Sequence, residues 1–320
     1  MSTSRLSTLG SITSVAGLSV GHAQDNLAMT GCTVILCGVE GAVCGVDVRG
    51  AAPGTRETDL LDPSDLVERV HAIVLSGGSA FGLDSACGVV RYLEERGIGY
   101  ETGVARIPIV PAAVIYDLGA GSPSVRPDSA MGYAACRNAR VEEVEVGRIG
   151  AGTGATIGKI LGHGSASPGG IGMASAVIRG GYTVGVLVVV NSFGDVVNPE
   201  TGQIVAGARA PDGSWLDTAT ALAKGPGSPL TAIRISGIEN TTLAVVATDA
   251  VFTKAQARRV ASMAHDGFAR AIRPAHTMFD GDAIFALSTG TQGVNAGADV
   301  TAVGSAAADL LARAIVSATA

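Results

Sequence analysis

The sequence predicts an α/β fold, a layered sandwich with sheets inside and helices outside. Three observations carry that expectation. Apolar runs such as 183–191 and 243–250 have the length and β-branched content of strands buried on both faces. Helix-period segments interleave with them, without a strict βαβ repeat. Of 320 residues, 45 are glycine, 47% are hydrophobic, 16% are charged and 4% are aromatic, so close backbone packing and small side chains build the core. So few charges on a chain of this size also point to surface hidden in an oligomer.

The same composition argues against several classes of function. The net charge is −6 and no basic cluster exceeds two adjacent arginines, which speaks against nucleic acid as a partner. Residues 1–20 are rich in Ser and Thr, carry one Arg and lack an apolar segment, so no signal peptide is expected. The longest apolar run, 184–190, is far too short for a bilayer. Cys32, Cys37, Cys44, Cys87 and Cys136 form no Cys-x-x-Cys pair and are odd in number. Reduced, mostly buried thiols in the cytoplasm are the expectation.

Along the chain, residues 33–37 and 42–48 read as strands split by Gly38 and Gly41, a hairpin. Residues 49–62 are a Gly/Pro-rich loop with Arg49, Arg56, Glu57 and Asp59, either lining a site or solvated. A buried strand at 72–75 runs into Ser76-Gly77-Gly78-Ser79. The following helix reaches about Arg96, with Ser79 as N-cap, Leu83, Cys87, Val90 and Leu93 on one face, and Gly97 just beyond its end. That glycine turn either presents amide donors to an anion or carbonyl oxygen or is a tight connection. Residues 110–118 read as a strand ending in Tyr116-Asp117, and a short helix lies near 128–138.

Gly150-Ala151-Gly152-Thr153-Gly154-Ala155-Thr156-Ile157-Gly158-Lys159 invites a nucleotide reading and fails its tests. A phosphate-binding loop needs glycine where Thr153 stands and a hydroxyl residue where Ile160 stands. No acidic residue lies about 20 positions on, as a dinucleotide site requires. Lys159 remains either a site lysine or a surface one. Residues 183–191 form a long buried strand ending in Asn191, and 195–230 read as an exposed, flexible connection with one short helix near 215–224. Thr253 caps a helix to about Arg273, with Val260, Met263, Ala264, Phe268 and Ile272 on its apolar stripe and His265 packed or on the surface. A strand at 283–287 and a helix from Thr301 close the chain.

Two stretches carry candidate chemistry. The polar link Glu239-Asn240-Thr241 runs straight into the apolar run at 243–250, so the Thr241 hydroxyl stands at the mouth of a buried strand, where a nucleophile is rigidly held. Asn-Thr-Thr is equally an ordinary turn before a strand, or a glycosylation acceptor, which the lack of a secretory signal does not support. Asp280 and Asp282, two apart, point the same way in an extended segment. They suit a cation or proton handling, though Asp-Gly-Asp is also common turn chemistry. The sequence holds no zinc-spaced His/Cys/Asp set and no EF-hand pattern, so neither metal nor cofactor is expected.

Several motifs in fixed order resemble the P1 (S58) peptidase family. These are 45–50 (Gly-Val-Asp-Val-Arg-Gly), 53–61 (Pro-Gly-Thr-Arg-Glu-Thr-Asp-Leu-Leu), 75–84 (Leu-Ser-Gly-Gly-Ser-Ala-Phe-Gly-Leu-Asp), 150–155 and Phe279-Asp280-Gly281-Asp282. The family comprises the L-aminopeptidase/D-amidase/D-esterases, the β-peptidyl aminopeptidases and the nylon-oligomer amidase. The resemblance runs from about Ile12 to the final helix. It implies a single domain with a four-layer αββα sandwich, DmpA/ArgJ-like and akin to the N-terminal-nucleophile (Ntn) hydrolases. It also implies a precursor that cuts itself before Thr241, at Asn240, into residues 1–240 and a chain 241–320 of about 8 kDa, and assembly as a homotetramer of the processed pairs.

By position, Asn191 matches the family's oxyanion-stabilising amide. Tyr116 and Lys159 match residues lining the site of the nylon-oligomer amidase, and Asp280 and Asp282 match its acidic pair. Thr241 would supply the hydroxyl, and its freed α-amine, titrating near about 8, the base. In the β-peptidyl aminopeptidases the nucleophile is Ser and the acidic positions are Ser and Glu, so this chain stands nearer the nylon-oligomer type. The implied activity is a cofactor-free amidase or aminopeptidase acting on small amides or short peptides. The alternatives are an acyltransferase of the ornithine-acetyltransferase kind and a non-catalytic oligomeric binding protein.

Overall fold

The computed structural model describes residues 10–142, 144–224, 240–290 and 299–319. The strands of its two main sheets are β1 (Ser19–Asp25), β2 (Thr30–Leu36), β3 (Ala42–Val48), β4 (Thr55–Arg56), β5 (Arg69–Val70), β6 (Ala72–Ser76), β7 (Ala112–Val114), β8 (Gly170–Val177), β9 (Thr183–Asn191), β10 (Thr241–Thr248) and β11 (Ala283–Ser288). The helices are α1 (Ser85–Glu94), α2 (Ser129–Arg137), α3 (Thr218–Lys224), α4 (Lys254–Ala271) and α5 (Val300–Ser317). One sheet runs β1-β2-β6-β7-β4 and the other β8-β9-β10-β11-β3-β5. Each is mixed: β6 and β7 are parallel in the first, β10 and β11 in the second, and the remaining pairs are antiparallel.

Period-two alternation assigns the layers. Leu243, Val245 and Ala247 of β10 join Leu187, Val189, Phe285 and Leu287 in a core shared with Ile35, Ile73 and Leu75 of the facing sheet. Ala244 and Val246 point the other way, onto Phe268 of α4 and Leu310 and Leu311 of α5. A third core sets Val34, Val74 and Ala112 against Val89 and Leu93 of α1 and Ala135 of α2. Two sheets face each other between two helical layers, the expected αββα order. Small residues let the layers close. A Cβ on Gly45 of β3 would lie 2.2 Å from the backbone nitrogen of Arg258 in α4.

Several local expectations hold. Strand β9 spans the predicted residues, Asp128 caps α2, and Thr253 opens α4 in a capping box with Gln256. His265 is fully buried, α5 begins at Val300 beside the expected Thr301, and of the five thiols only Cys87 is exposed. Helix α5 is long and apolar enough to cross a membrane by length and composition. Here it packs on β8 and β9, with about half of it buried.

Other expectations need correction. β2 and β3 do not form a hairpin: β2 pairs with β1 and β6, while β3 crosses to the other sheet and pairs with β11 and β5. Ser79 is not an N-cap. It has φ +53°, and a 3₁₀ turn (Ser79–Asp84) precedes α1. The glycine turn offers no free amides at Gly77 and Gly78, whose N–H groups donate to Gly31 O and to the Asp117 carboxylate. The strand expected at 110–118 is only Ala112–Val114. Residues 195–224 are not a loose connection. Asp195–Val197 is a buried strand paired with Ile204–Ala206 and Ile272–Arg273, and the Asp195 carboxylate accepts from Ala208 N, Thr218 N and the Thr218 hydroxyl. Residues 225–230 of that connection, and Gly237-Ile238-Glu239 before the central strand, lie outside the described residues.

Phe285 is fully buried between the sheets. Truncation there leaves a cavity bounded by two rigid layers, so Phe285→Ala is expected to cost about 3–5 kcal/mol. Urea titration reads this as a lowered midpoint with little change in slope.

Candidate active site

Strand β10 sits in the middle of its sheet, and its two neighbours bring distant residues beside its first residue. Antiparallel pairing with β9 places Asn191 directly across from Thr241. Parallel pairing with β11 extends upstream as a bridge between Asn240 and Asp280. By alternation, Thr241 and Asn191 take the inter-sheet side of their strands, in line with Leu243 and Val189. Both residues, and Asn240, are buried.

The carbonyl of Asn240 receives two donors. The Thr241 hydroxyl lies 2.5 Å from it and the backbone N–H of Gly281 donates at 3.0 Å. Gly281 has no alternative at that place, because a Cβ there would lie 2.7 Å from Thr241 Oγ1 and 2.6 Å from Ala52 O. The carbonyl of the peptide bond before Thr241 is therefore polarised by a backbone amide while the hydroxyl rests against it.

Asn191 is held from three sides. Its Oδ1 accepts from Lys159 Nζ at 2.8 Å and from Thr156 N at 3.0 Å, and its Nδ2 donates to the backbone oxygen of Tyr116 at 3.1 Å. Lys159 also donates to Asn191 O at 3.1 Å. A buried cation on the amide oxygen strengthens the amide's own N–H groups as donors. Lys159 is thus not a surface lysine. Tyr116 reaches this group through its carbonyl, with its side chain half-buried. Burial pushes the nearby Asp117 carboxyl above the usual carboxylate range, against the pull of Gly78 N, the Thr30 hydroxyl and Lys159.

The acidic pair lines the other side of the strand mouth. Asp280 Oδ2 accepts from the Thr277 hydroxyl at 2.6 Å and Thr277 N at 2.8 Å, and Oδ1 accepts from Phe193 N at 3.3 Å. Asp282 Oδ1 accepts from Thr242 N at 2.7 Å. Burial first, and the Asp282 charge second, push the Asp280 carboxyl up to about 6. Among the described residues, neither carboxylate bonds the Thr241 hydroxyl. They hold the backbone around it. The loop at 49–62 docks here through its backbone, with Arg49 N and Gly50 N on Asp282 O and Ala52 N on Asp280 O. Its charged side chains turn elsewhere, Arg49 onto Asp47 and Ser262 and Arg258 onto Asp62.

All six candidate residues thus converge, together with four that sequence reasoning missed: Gly281, Thr156, Thr277 and His276, whose Nδ1 lies 2.7 Å from Asp282 Oδ2. In the sequence Asp-Gly-Asp stands out for its acids, not for the N–H and bare Cα between them. No spacing rule flags a histidine six residues before an aspartate.

Comparison with known proteins resolves the kinship. Residues 10–320 match peptidase family S58. An uncharacterized aminopeptidase of Mycobacterium tuberculosis (strain H37Rv) is 47% identical over 96% of this chain and 92% of its own length. The chain belongs to peptidase family S58. A 6-aminohexanoate-oligomer endohydrolase of Kocuria sp. is 34% identical over 85% of this chain and 73% of its own length. The L-aminopeptidase D-Ala-esterase/amidase of Ochrobactrum anthropi shares the fold, with TM-score 0.71 and 22% identity over 99% of this chain and 88% of that one. A Burkholderia sp. beta-aminopeptidase does too, with TM-score 0.70 and 23% identity over the same shares. This S58 protein is a hydrolase.

The raised Asp280 carboxyl of this S58 hydrolase has a consequence for stability. It holds its proton more tightly folded than unfolded, where it titrates near 3.8. Its favourable contribution is therefore complete below about 4 and is lost as pH climbs through about 6. Thermal melts should show the Tm of the native chain falling relative to Asp280→Asn across that window and levelling above it.

Proposed function

We propose that this chain is a self-cleaving amidohydrolase or aminopeptidase whose nucleophile is Thr241, and that the precursor cuts itself between Asn240 and Thr241. One observation carries the reading: the Thr241 hydroxyl rests 2.5 Å from the carbonyl oxygen of its own preceding peptide bond, while Gly281 N–H holds that oxygen at 3.0 Å. Rotation about one side-chain bond takes Oγ1 from the oxygen to the carbonyl carbon. Attack forms the Asn240 C–Oγ bond, the C–N bond breaks, and the proton passes to the departing nitrogen, giving an ester and a free amine. Gly281 N–H stabilises the charge that builds on the oxygen. Water then hydrolyses the ester, leaving the Asn240 carboxylate and a terminal Thr241.

The same groups serve turnover. The new α-amine, titrating near about 8, takes the proton of its own hydroxyl. Oγ1 attacks the substrate amide, and the Asn191 amide, polarised by Lys159, donates to the oxyanion. Tyr116 orients Asn191 through its carbonyl. Asp280 and Asp282 position the α-amine and receive the ammonium of a small amide or short peptide with a free amine. The names of the relatives support that substrate class, from aminopeptidases to a hydrolase of 6-aminohexanoate oligomers. Free, mostly buried thiols support a cytoplasmic home, and the low charge content supports a homotetramer of processed pairs.

Intact-mass analysis with N-terminal sequencing tests the cut. The expected result is a chain of about 8 kDa beginning Thr-Thr-Leu; a lasting single chain of 31.8 kDa sinks the reading and favours a non-catalytic binding protein. Thr241→Ala should stay whole and turn nothing over. Asn191→Ala should lose about 10²–10³-fold in kcat with little change in KM. Product formation that requires an added amine acceptor would class the acyl-enzyme as a transferase.

A further inference from the structure

Behind the acidic pair stands a histidine that the reaction above leaves unused. His276 Nδ1 lies 2.7 Å from Asp282 Oδ2, and the His276 backbone N–H donates to the same oxygen at 3.2 Å. The other oxygen of Asp282 takes Thr242 N at 2.7 Å. A carboxylate only accepts, so the His276 proton sits on Nδ1. His276 Nε2 is buried without a partner. Its ring stands edge-on to His265 of α4, at 4.8 Å and 70°, and beside Phe268 at 5.9 Å. His265 gives its own Nε2–H to Asp47 O of β3 at 3.0 Å. Burial holds it down to about 4, with the charges of His276, Asp47 and Arg49 as smaller influences. The groups facing His276 are thus the Asp282 carboxylate, with Asp280 beside it, and an uncharged His265.

The backbone sets how the ring is presented. His276 has φ +56°, in the left-handed region that few β-carbon residues adopt, Asn, Asp and His more often than the rest. That conformation aims both of its N–H groups at a single carboxylate oxygen.

We propose that His276 is the positioning residue of this site, clamping Asp282 so that Asp282 in turn clamps the strand end bearing the nucleophile. The inference rests on the reading of Thr241 as nucleophile. Cleavage turns Thr241 into a chain terminus, and free strand ends fray. The bond from Thr242 N to Asp282 keeps that terminus in register with Asn191, and His276 keeps Asp282 from swinging away.

A matched pair of variants tests the clamp. His276→Asn tolerates the same φ and offers a side-chain N–H; His276→Asp tolerates it too but has no donor and adds a like charge. Mass analysis of the native chain is read first and bears on the nucleophile alone. In cut protein, His276→Asn should keep kcat within about 3-fold of native. His276→Asp should lose about 10–100-fold in kcat with KM little changed, with the acid limb of the kcat–pH profile moved up by about 0.5–1 unit. His276→Gly, unstrained at this φ, should fall with His276→Asp. Equal activity of the Asn and Asp variants, or loss of kcat with no movement of the acid limb, overturns the clamp. A His276→Asp chain that does not fold leaves the Asn and Gly comparison to decide on the same criteria.

Discussion

Residues 191, 241 and 281 come from three segments far apart in the chain, and the ladder of β10 alone puts them in one row. β9 runs antiparallel along one side of β10 and β11 runs parallel along the other. A slip of one residue in either pairing would turn Asn191 or Gly281 to the opposite face. The slip is prevented by burial: every residue of β10 is buried, and each face packs into a different core. The apolar content of the strand, which says nothing about chemistry, is what locates its first hydroxyl.

Around that row the charges are few, buried and individually accounted for. Lys159 lies on an amide oxygen, Asp282 on two backbone N–H groups and a ring nitrogen, and Asp280 on Thr277 and Phe193 N. In such surroundings an unpaired charge is expensive, so the network resists rearrangement. Ile160, Phe193 and Phe279 pack in one apolar cluster, and Ile160 and Phe279 adjoin Lys159 and Asp280 in the chain. At buried positions such as Asn240 and Gly281, backbone dipoles act most strongly on a developing charge.

Much of the architecture was legible in the sequence, for identifiable reasons. Strand β9 could be bounded because the apolar run has polar residues at both ends, and α4 because Thr253 and Gln256 form a capping box. The crossing from β2 to β3 was not legible, since alternation tells which face a residue takes but not which sheet it joins. The turn at Ser79 misled because its glycines resemble an anion-binding loop, whereas the buried Asp117 has claimed an amide. Within the site, Thr241, Asn191, Lys159 and the acids stood out through resemblance to the family. The contributions of Gly281 and Tyr116 are made by backbone atoms and leave no mark in side-chain chemistry.

Strand order holds one further consequence. β10 and β11 lie side by side in the interior of the six-stranded sheet, between β9 on one flank and β3 on the other. A scission at Asn240 would leave these two strands on the smaller fragment and both flanking strands on the larger one. The pieces could then part only by stripping two hydrogen-bonded seams and opening two apolar layers together. Covalent continuity would vanish while the particle stayed whole, so maturation would change the chemistry at one chain end without loosening the body that presents it.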